Sequence, residues 1–195
     1  MVKDYYKMIQ GWCDPFVEKL YSKIVQRAKP HDILVEVGVW KGKSACMMAQ
    51  HIEASGKPLH FFAVDTFEGS PEHQTAVAHE GGSTYHVFSS HMEKSGAERY
   101  VRPVRMDSVR AAKCFGDESV DFVFIDADHS YEGVRADLFA WFPKIKRDGI
   151  IAGHDFDWKT VKSSVRDFFK KKVVSIEEDD LVSSEPDATC WAIIK

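Results

Sequence analysis

Long apolar runs are missing from this sequence of 195 residues. No stretch approaches the roughly 20 apolar residues of a membrane-spanning helix, and the N-terminal segment MVKDYYKMIQ contains no apolar signal core. Positive charge is not in excess either, since the formal net charge is −4. We therefore expect neither a membrane partner nor a nucleic-acid partner for this chain.

Cysteine is scarce and shows no paired spacing. The four cysteines are scattered along the chain without a CxxC motif. Cys46 and Cys190 lie in apolar segments, which is typical of reduced thiols in a protein core. The sequence therefore predicts a cytoplasmic protein without a disulfide framework.

Phosphate-binding glycine loops are absent as well. The stretch ILVEVGVWKGKSAC, residues 33–46, predicts a buried strand, a glycine-bearing turn and the start of a helix. Residues 42–44, Gly-Lys-Ser, resemble the end of a P-loop, but that loop needs another glycine five residues earlier, where valine stands. The dinucleotide fingerprint Gly-x-Gly-x-x-Gly is missing too. What remains, Glu36-x-Gly38-x-x-x-Gly42, also fits an ordinary strand-to-helix turn.

Strand and helix patterns alternate along the chain. Helices are predicted within residues 3–28, and a helix stop and turn at 144–149. Strands are predicted at 33–39, 59–65, 100–105, 120–128 and 150–155, followed by two closing strands at 173–178 and 188–195. This alternation predicts an α/β fold with a doubly wound sheet. We expect a single domain over residues 1–195, with residues 1–30 as an N-terminal helical extension.

Residues 66–92 show no clear strand pattern. A connection of this length predicts a lid or a substrate-binding loop. It carries four histidines whose spacing fits neither a helical pair nor a zinc finger. We therefore expect surface histidines here rather than a metal cluster.

Acidic residues concentrate where the predicted strands end. They are Glu36, Asp65, Asp107, Asp126, Asp128, Asp155 and Asp157. The carboxyl ends of parallel strands meet at one edge of a sheet, and carboxylates crowded there repel each other unless a cation or a hydrogen-bond donor lies between them. Asp65 could accept from both hydroxyls of a ribose. S-adenosylmethionine combines a ribose with a cationic sulfonium and has no pyrophosphate, so it fits this edge better than NAD.

Four motifs carry a resemblance to a known family: VEVGVWKGKSA, VDTFEGSPE, FVFIDADHSYEGVRADL and KIKRDGIIAGHDF. On these motifs, residues 33–157 resemble a class I S-adenosylmethionine-dependent methyltransferase. The resemblance is to the small-molecule group that includes macrocin-type sugar O-methyltransferases and cephalosporin-hydroxylase-like proteins. It implies a Rossmann-like, seven-stranded sheet, mostly parallel with an antiparallel closing strand and helices on both faces.

The implied activity is methyl transfer from S-adenosylmethionine to a hydroxyl of a small acceptor, such as a sugar or another diol. Alternatives are a metal-independent N- or C-methyltransferase and a protein of the same fold that binds the cofactor without catalysis. An NAD-linked oxidoreductase is disfavoured by the missing glycine. A homodimer through the N-terminal helices is left open.

The resemblance also implies the residues that contact the cofactor. These are Glu36, Gly38, Gly42, Ser44, Asp65, Thr66, Phe67, Asp107, Ser108, Asp126 and Asp128. Among them, Glu36 and the two glycines are expected at the methionine end. Asp65, Thr66 and Phe67 are expected at the ribose, and Asp107 and Ser108 at the adenine.

The reacting methyl group is expected to face Asp126 and Asp128, with His129. His129 is the candidate general base because an unperturbed imidazole titrates near neutrality, although a structural hydrogen bond would explain it equally well. In metal-dependent relatives, acidic residues ending strands four and five hold a divalent ion; Asp126 and Asp155 match that pattern, and with His154 they form the candidate metal site. Relatives often carry an acid or an amide beside the position of Asp155, so His154 weakens the case for magnesium.

Overall fold

The sheet has six strands in the part of the chain that a computed structural model describes, residues 1–70, 73–169 and 189–195. The strands are β1 (Ile33–Val37), β2 (His60–Asp65), β3 (Val101–Arg105), β4 (Val120–Ile125), β5 (Ile145–Gly153) and β6 (Trp191–Ile194). Their order across the sheet is β3-β2-β1-β4-β5-β6. All neighbours are parallel except β5 and β6.

This topology confirms the predicted mostly parallel α/β sheet with an antiparallel closing strand. The strand predicted at 173–178 lies outside the described residues, so six strands are described where seven were predicted. The chain runs outward from β1 to β3 and then crosses to β4 on the other side of β1. Such a reversal leaves a crevice at the carboxyl ends of the strands, where open α/β sheets bind their ligands.

Seven helices flank the sheet in the described residues. They are α1 (Pro15–Arg27), α2 (Lys43–Ser55), α3 (Gln74–His79), α4 (Tyr85–Ser95), α5 (Ser108–Ala112), α6 (Tyr131–Trp141) and α7 (Lys159–Phe169). Short 3₁₀ turns lie at Tyr5–Met8, Ala97–Arg99 and Phe142–Lys144. None of the helices in these ranges is long and apolar enough to cross a membrane.

Two hydrophobic clusters cover the two faces of the sheet. Successive side chains of a strand point to opposite faces. Leu34 therefore packs with α1 and α2, whereas Val35 packs with α5, α6 and α7. The predicted placement of helices on both faces follows from this alternation.

Strand β5 begins earlier than predicted. Residues 144–149 were expected to form a helix stop and turn, but β5 starts at Ile145. It pairs Ile145 with Val120, then shifts register before pairing Ile150 with Phe122. Asp148 adopts a positive φ of 64° at this irregularity. The Asp-Gly sequence therefore produces a bulge inside the strand, because pairing with β4 on both sides outweighs its turn preference.

Residues 66–92 are largely helical, which corrects the expectation of a loop. They contain α3 and most of α4. Phe88 and Met92 are buried against the core, and Val77 of α3 is buried as well. This connection (66–92, called the excursion below) folds onto the sheet because its helices have apolar residues to bury.

Candidate active site

A cavity of about 640 Å³ opens at the carboxyl ends of the strands. This volume is in the range of small-molecule sites. The cavity brings together these predicted site residues: Gly38, Ser44, Asp65, Thr66, Asp107, Ser108, Asp126, Asp128, His129, His154 and Asp155. Glu36, Gly42 and Phe67 do not line it.

Glycine is required at both ends of the turn after β1. At Gly38 (φ +88°), a Cβ atom would lie 1.9 Å from the carbonyl oxygen of Asp126. At Gly42 (φ +91°), it would lie 2.6 Å from the methyl carbon of Met92 and 2.9 Å from Phe88. Gly38 therefore lets the ends of β1 and β4 meet beside the cavity, whereas Gly42 lets α2 pack against α4. The structure gives Gly42 a packing role, and its predicted cofactor contact stays a prediction.

Asp65 holds the same turn from the end of β2. Its Oδ2 accepts hydrogen bonds from the N–H groups of Val39 and Trp40, both at 2.9 Å, and its Oδ1 accepts from Phe67 N–H at 2.7 Å. Burial raises the pKa of this carboxyl, and the backbone donors oppose that rise. Asp65 lines the cavity at the predicted ribose position, together with Thr66. Three of its acceptor sites are nevertheless already engaged by backbone.

Phe67 was expected at the ribose, and that contact stays a prediction; the ring itself does not line the cavity. Phe67 is fully buried, with its ring 5.0 Å from those of both Tyr85 and Phe88. The residue has a positive φ of 61°, so the chain turns sharply there. The ring therefore anchors the excursion to the core.

Glu36 does not line the cavity, and its predicted contact with the methionine end stays a prediction. It points to the same face as Leu34 and is fully buried next to Tyr21 and Ser44. Neither carboxyl oxygen has a hydrogen-bond partner of ordinary geometry, although both neighbouring hydroxyls are close enough to lower its pKa. The effect of burial is larger than that of the two hydroxyls, and it raises the pKa of Glu36 to about 8. Ser44, which does line the cavity, separates Glu36 from it.

Two imidazoles share one carboxylate at the ends of β4 and β5. We call Asp126, His129, His154 and Asp155 the imidazole end of the cavity. Asp155 Oδ2 lies 2.9 Å from His129 Nε2 and 3.2 Å from His154 Nδ1. Asp126 Oδ1 lies 3.8 Å and 3.7 Å from the same two nitrogens. The structure thus places the predicted base and the predicted metal ligands in one cluster.

The imidazole end continues outside the cavity to Asp14, which sequence reasoning missed. Asp14 Oδ2 lies 3.2 Å from His154 Nε2 and also accepts from the Thr189 hydroxyl. Its Oδ1 caps α1 by accepting from the N–H groups of Phe16 and Val17. Asp14 before a proline is a recognisable helix start. No local signal, however, reveals a contact between residues 140 positions apart.

Charge compensation sets the protonation of this end. Burial lowers the pKa of His154, but the contacts with Asp155, Asp126 and Asp14 outweigh burial and raise it to about 9. Burial would raise the pKa of Asp155, yet hydrogen bonds from His129 and His154 hold it well below its usual range. For Asp126, burial dominates and raises the pKa. His154 is therefore protonated at neutral pH, between ionised partners.

The donor set at this end fits a divalent transition metal better than magnesium. One ligand atom each from Asp126, His154 and Asp155 lies within 4.8 Å of the others. Two carboxylate oxygens and one imidazole suit manganese, iron or zinc, whereas magnesium prefers oxygen alone. Asp14 on the opposite ring nitrogen is the partner that a metal-binding histidine usually has. Binding would have to displace the proton on His154.

A second group of three, Asp14, His154 and Cys190, shares His154 with the first. Burial raises the pKa of the Cys190 thiol far above its usual value. Because the thiolate is the form that binds metals, this group is the weaker candidate.

The opposite end of the cavity has carboxyl groups without cations, and we call Asp107, Ser108 and Asp137 the carboxyl end. Asp107 Oδ1 caps α5 by accepting from Arg110 N–H at 3.0 Å. The Ser108 hydroxyl accepts from the indole Nε1 of Trp141 at 2.9 Å. Asp107 and Ser108 line the cavity where the adenine was predicted.

Asp137 was missed by the sequence analysis. It is 4% exposed and lines the cavity from α6. Burial raises its pKa to about 7, against the lowering effect of the Ser108 hydroxyl. The sequence did contain a sign of it. Asp137 follows Val134 by three residues and precedes Trp141 by four, so an acidic residue lies on the apolar face of the predicted helix.

Three aromatic rings from separate segments meet at the cavity mouth. The Trp12 ring lies 6.3 Å from that of Trp40, and the His73 ring lies 5.0 Å from both. All three residues line the cavity, and Trp12 is 62% exposed. We call Trp12, Trp40 and His73 the aromatic rim.

Two lysines of the turn after β1 hold these segments in place. Lys41 Nζ donates to Gln10 Oε1 at 2.8 Å and to Glu80 Oε1 of the excursion at 2.6 Å. Lys43 Nζ donates to the carbonyl oxygen of Gly11 at 3.0 Å. The N-terminal segment and the excursion are therefore both fastened above the strand ends.

Sequence comparison relates this chain to known proteins. The family model described as "Methyltransferase domain" matches residues 35–156. The uncharacterised protein y4gI of Sinorhizobium fredii is 31% identical over 132 residues, which make up 68% of this chain and 14% of that protein. This chain therefore spans only a small part of the length of that relative.

Solved structures share the fold. The O-methyltransferase NovP superposes with a TM-score of 0.64 at 17% identity, covering 92% of this chain and 78% of NovP. An S-adenosylmethionine-dependent O-methyltransferase from Thermotoga maritima gives a TM-score of 0.59 at 14% identity, over 87% of this chain and 57% of that one. At such identities the structures establish the fold, and the family match establishes membership.

The chain belongs to the methyltransferase domain family. The predicted resemblance to S-adenosylmethionine-dependent methyltransferases is thereby confirmed. S-adenosylmethionine is the cofactor of this family.

Proposed function

We propose that this protein transfers the methyl group of S-adenosylmethionine to a hydroxyl of a small acceptor, with His129 as the general base. The observation that carries the proposal is the contact of 2.9 Å between His129 Nε2 and Asp155 Oδ2 inside the cavity. An imidazole held by a carboxylate is the arrangement that enzymes use to take a proton from a hydroxyl.

The cofactor supplies an electrophilic methyl group on a cationic sulfur when it is bound. The chain positions both reactants, because the acceptor oxygen must approach the methyl carbon opposite the sulfur. Ser44, Gly38 and Asp126 line the part of the cavity proposed for the methionine end, and Asp65 and Thr66 the part proposed for the ribose. The acceptor then lies beside the imidazole end.

Asp155 fixes the orientation of His129 and stabilises the imidazolium that forms when the acceptor hydroxyl loses its proton. The ring of Trp158, 4.9 Å from that of His129, covers the base on another side. Asp126 and Asp128 complete the wall around the reacting groups.

The acceptor class proposed is a sugar or another diol. The aromatic rim offers apolar ring faces against which a sugar ring can pack, and the carboxylates below accept hydrogen bonds from its hydroxyls. The excursion, fastened by Lys41 to the turn after β1, is the proposed lid over this acceptor.

A metal-assisted variant is favoured by the cluster of Asp126, His154 and Asp155. These residues would hold the ion, which would lower the pKa of the acceptor hydroxyl. The alternatives of N- or C-methylation and of binding without catalysis are tested in the same experiment.

The decisive experiment is calorimetric titration with S-adenosylmethionine and S-adenosylhomocysteine, followed by methyl-transfer assays on sugars, catechols and amines with manganese or EDTA. Binding of both ligands with turnover on hydroxylated acceptors supports the proposal. His129→Asn should abolish turnover and leave binding intact. The matched control is His31→Asn, an exposed position before β1 at the opposite edge of the sheet. Turnover only on amines, or binding with no turnover, would select the corresponding alternative.

A further inference from the structure

A carboxyl group that forms no ion pair with a described residue lines the part of the cavity between α5 and α6. Asp137 is 4% exposed and lies on the core-facing side of α6, yet it lines the cavity. Among the described residues, no lysine, arginine or histidine forms an ion pair with it. A buried carboxyl without a counter-charge is costly unless hydrogen-bond donors reach it.

The protein supplies Asp137 with few donors. The hydroxyl of Ser108 can donate to it, while the oxygen of that hydroxyl accepts from Trp141. The other charged neighbours are Asp107 and Asp128, which repel a charge on Asp137. Among the described residues, this end of the cavity therefore has more hydrogen-bond acceptors than donors. A ligand group that donates hydrogen bonds would complement it.

The sheet order shows which part of the cofactor reaches this end. The reacting groups gather at β4 and β5, and Asp65 marks the proposed ribose position at β2. The base attached to that ribose therefore extends toward the end of β3 and the start of α5, where Ser108 lies. Asp137 faces the same space from α6.

We propose that Asp137 recognises the adenine of the cofactor by accepting a hydrogen bond from its exocyclic N6 amino group. The inference rests on the proposed function, since it places S-adenosylmethionine in this cavity. A hypoxanthine base carries a carbonyl oxygen at the same position, so it would set an acceptor against an acceptor. Asp137 is thereby a residue that determines base specificity.

The protonation of Asp137 is consistent with this role. Burial raises its pKa to about 7, and Asp107 and Asp128 raise it further against the effect of Ser108. Both the charged and the neutral carboxyl have an oxygen that accepts from an amino group. Both forms therefore accept from the adenine amino group, but only the ionised form rejects a carbonyl, because the neutral carboxyl can donate its O–H to one.

The test is calorimetric titration with S-adenosylhomocysteine and with its deaminated analogue, in which hypoxanthine replaces adenine. At a pH well above 7, where the Asp137 carboxyl is ionised, the wild-type protein should prefer the adenine ligand by about tenfold or more, because a buried acceptor facing another acceptor loses its hydrogen bond. In Asp137→Asn the preference should fall to roughly twofold or less, since a side-chain amide can rotate to accept from an amino group or donate to a carbonyl. Asp137→Leu should lose affinity for the adenine ligand.

The ratio of the two affinities separates recognition from a merely structural role. A structural defect would weaken both ligands alike and leave the ratio unchanged. The matched control is Asp148→Asn, an exposed aspartate of positive φ in β5, which should keep the wild-type ratio. Equal wild-type affinities for the two ligands, or an unchanged ratio in Asp137→Asn, would overturn this inference alone. Absence of S-adenosylhomocysteine binding in the wild-type protein would overturn the proposed function and this inference together.

Discussion

Both ends of the cavity contain aspartate side chains, but the pKa values of Asp155 and Asp137 are shifted in opposite directions. At the imidazole end, Asp155 contacts two histidines, and its pKa is held well below the usual range. At the carboxyl end, burial raises the pKa of Asp137 to about 7, and no lysine, arginine or histidine of the described residues forms an ion pair with it. Both residues border one cavity of about 640 Å³, so the cavity contains two different electrostatic environments.

This difference shows that the protonation of a carboxyl in this cavity depends on neighbouring cations more than on burial alone. In the proposed function, the charges of the imidazole end orient His129 and stabilise the proton that it takes up. The carboxyl end has hydrogen-bond acceptors that a ligand with donor groups would satisfy. A ligand with a hydrogen-bonding nucleobase at one end and a reacting centre at the other matches both environments.

The largest effect is expected from removing the charge shared by the two imidazoles. Asp155 has a positive φ of 54°, which asparagine tolerates, so Asp155→Asn removes the charge without straining the backbone. Since proton transfer by a positioned group contributes roughly 10²–10⁴-fold, kcat for methyl transfer should fall by at least about 100-fold. Steady-state kinetics measures this, and calorimetry should show nearly unchanged S-adenosylhomocysteine affinity.

The exposed neighbour Asp157 gives the control for that substitution. Asp157→Asn should retain kcat, because this side chain does not line the cavity. If Asp155→Asn kept full turnover, the imidazole end would no longer be the reacting end.

Glu36 extends the comparison to a third carboxyl, buried behind the cavity without a cation. Its pKa is raised from 4.5 to about 8, so the folded protein holds this proton more tightly than the unfolded chain. Its contribution to stability is therefore complete below pH 4.5 and is lost as the pH rises to about 8. The loss amounts to about 1.4 kcal/mol for each pH unit within this window.

Glu36→Gln cannot ionise, so its free energy of unfolding should lose this pH dependence. Urea denaturation at several pH values between 4.5 and 8 would measure the slopes of the variant and the wild-type protein. The exposed substitution Glu98→Gln should leave the wild-type slope unchanged. Parallel slopes for Glu36→Gln and wild type would mean that Glu36 does not behave as an uncompensated carboxyl.

Asp14 tests how far the imidazole end depends on support from outside the cavity. Asp14→Ser keeps a side chain that can cap α1 but removes the carboxylate beside His154, whereas Asp14→Ala removes both. The alanine variant should be less stable than the serine variant by about 1 kcal/mol. Both should lower kcat by about tenfold, because the orientation of His154 is lost equally. A loss of kcat that followed stability instead would assign Asp14 to the helix cap alone.

The smallest effect is expected at the aromatic rim, which lies above the cavity and apart from either end. Trp12→Ala should raise KM for the acceptor by roughly twofold to tenfold, the range of an aromatic contact, with kcat little changed. Phe139→Ala is the control, since Phe139 is 59% exposed and does not line the cavity. An altered kcat with an unchanged KM would place Trp12 in the chemistry and not in acceptor binding.

Local pattern predicted much of the fold. Apolar, β-branched segments such as 33–37 and 120–125 formed buried parallel strands, because a strand covered on both faces needs apolar residues throughout. The errors arose where pairing or burial overrode local preference. The turn expected at 144–149 lies within β5 because β4 pairs with it, and the excursion became helical because apolar side chains such as Phe88 could be buried.

The site residues were likewise predictable only in part. Residues at the ends of strands, such as Asp65, Asp126 and Asp155, could be assigned to one edge because parallel strands bring their carboxyl ends together. The direction of a side chain within a strand was harder to assign: Glu36 belongs to the same acidic set but points under α1 and α2. Phe67 follows Asp65 directly, yet the sharp turn there sends its ring into the core.

By itself, the sequence determined the class of fold, the edge that carries the site and the carboxylates at the strand ends, such as Asp65, Asp126 and Asp155, because these depend on residue order along each strand. Only the tertiary structure decided which carboxylates have a cation. Asp14 reaches His154 across 140 positions, and Asp137 meets Ser108 from a different helix. Compensation depends on distances between segments that are remote in the chain, and the pKa of each carboxyl follows from those distances.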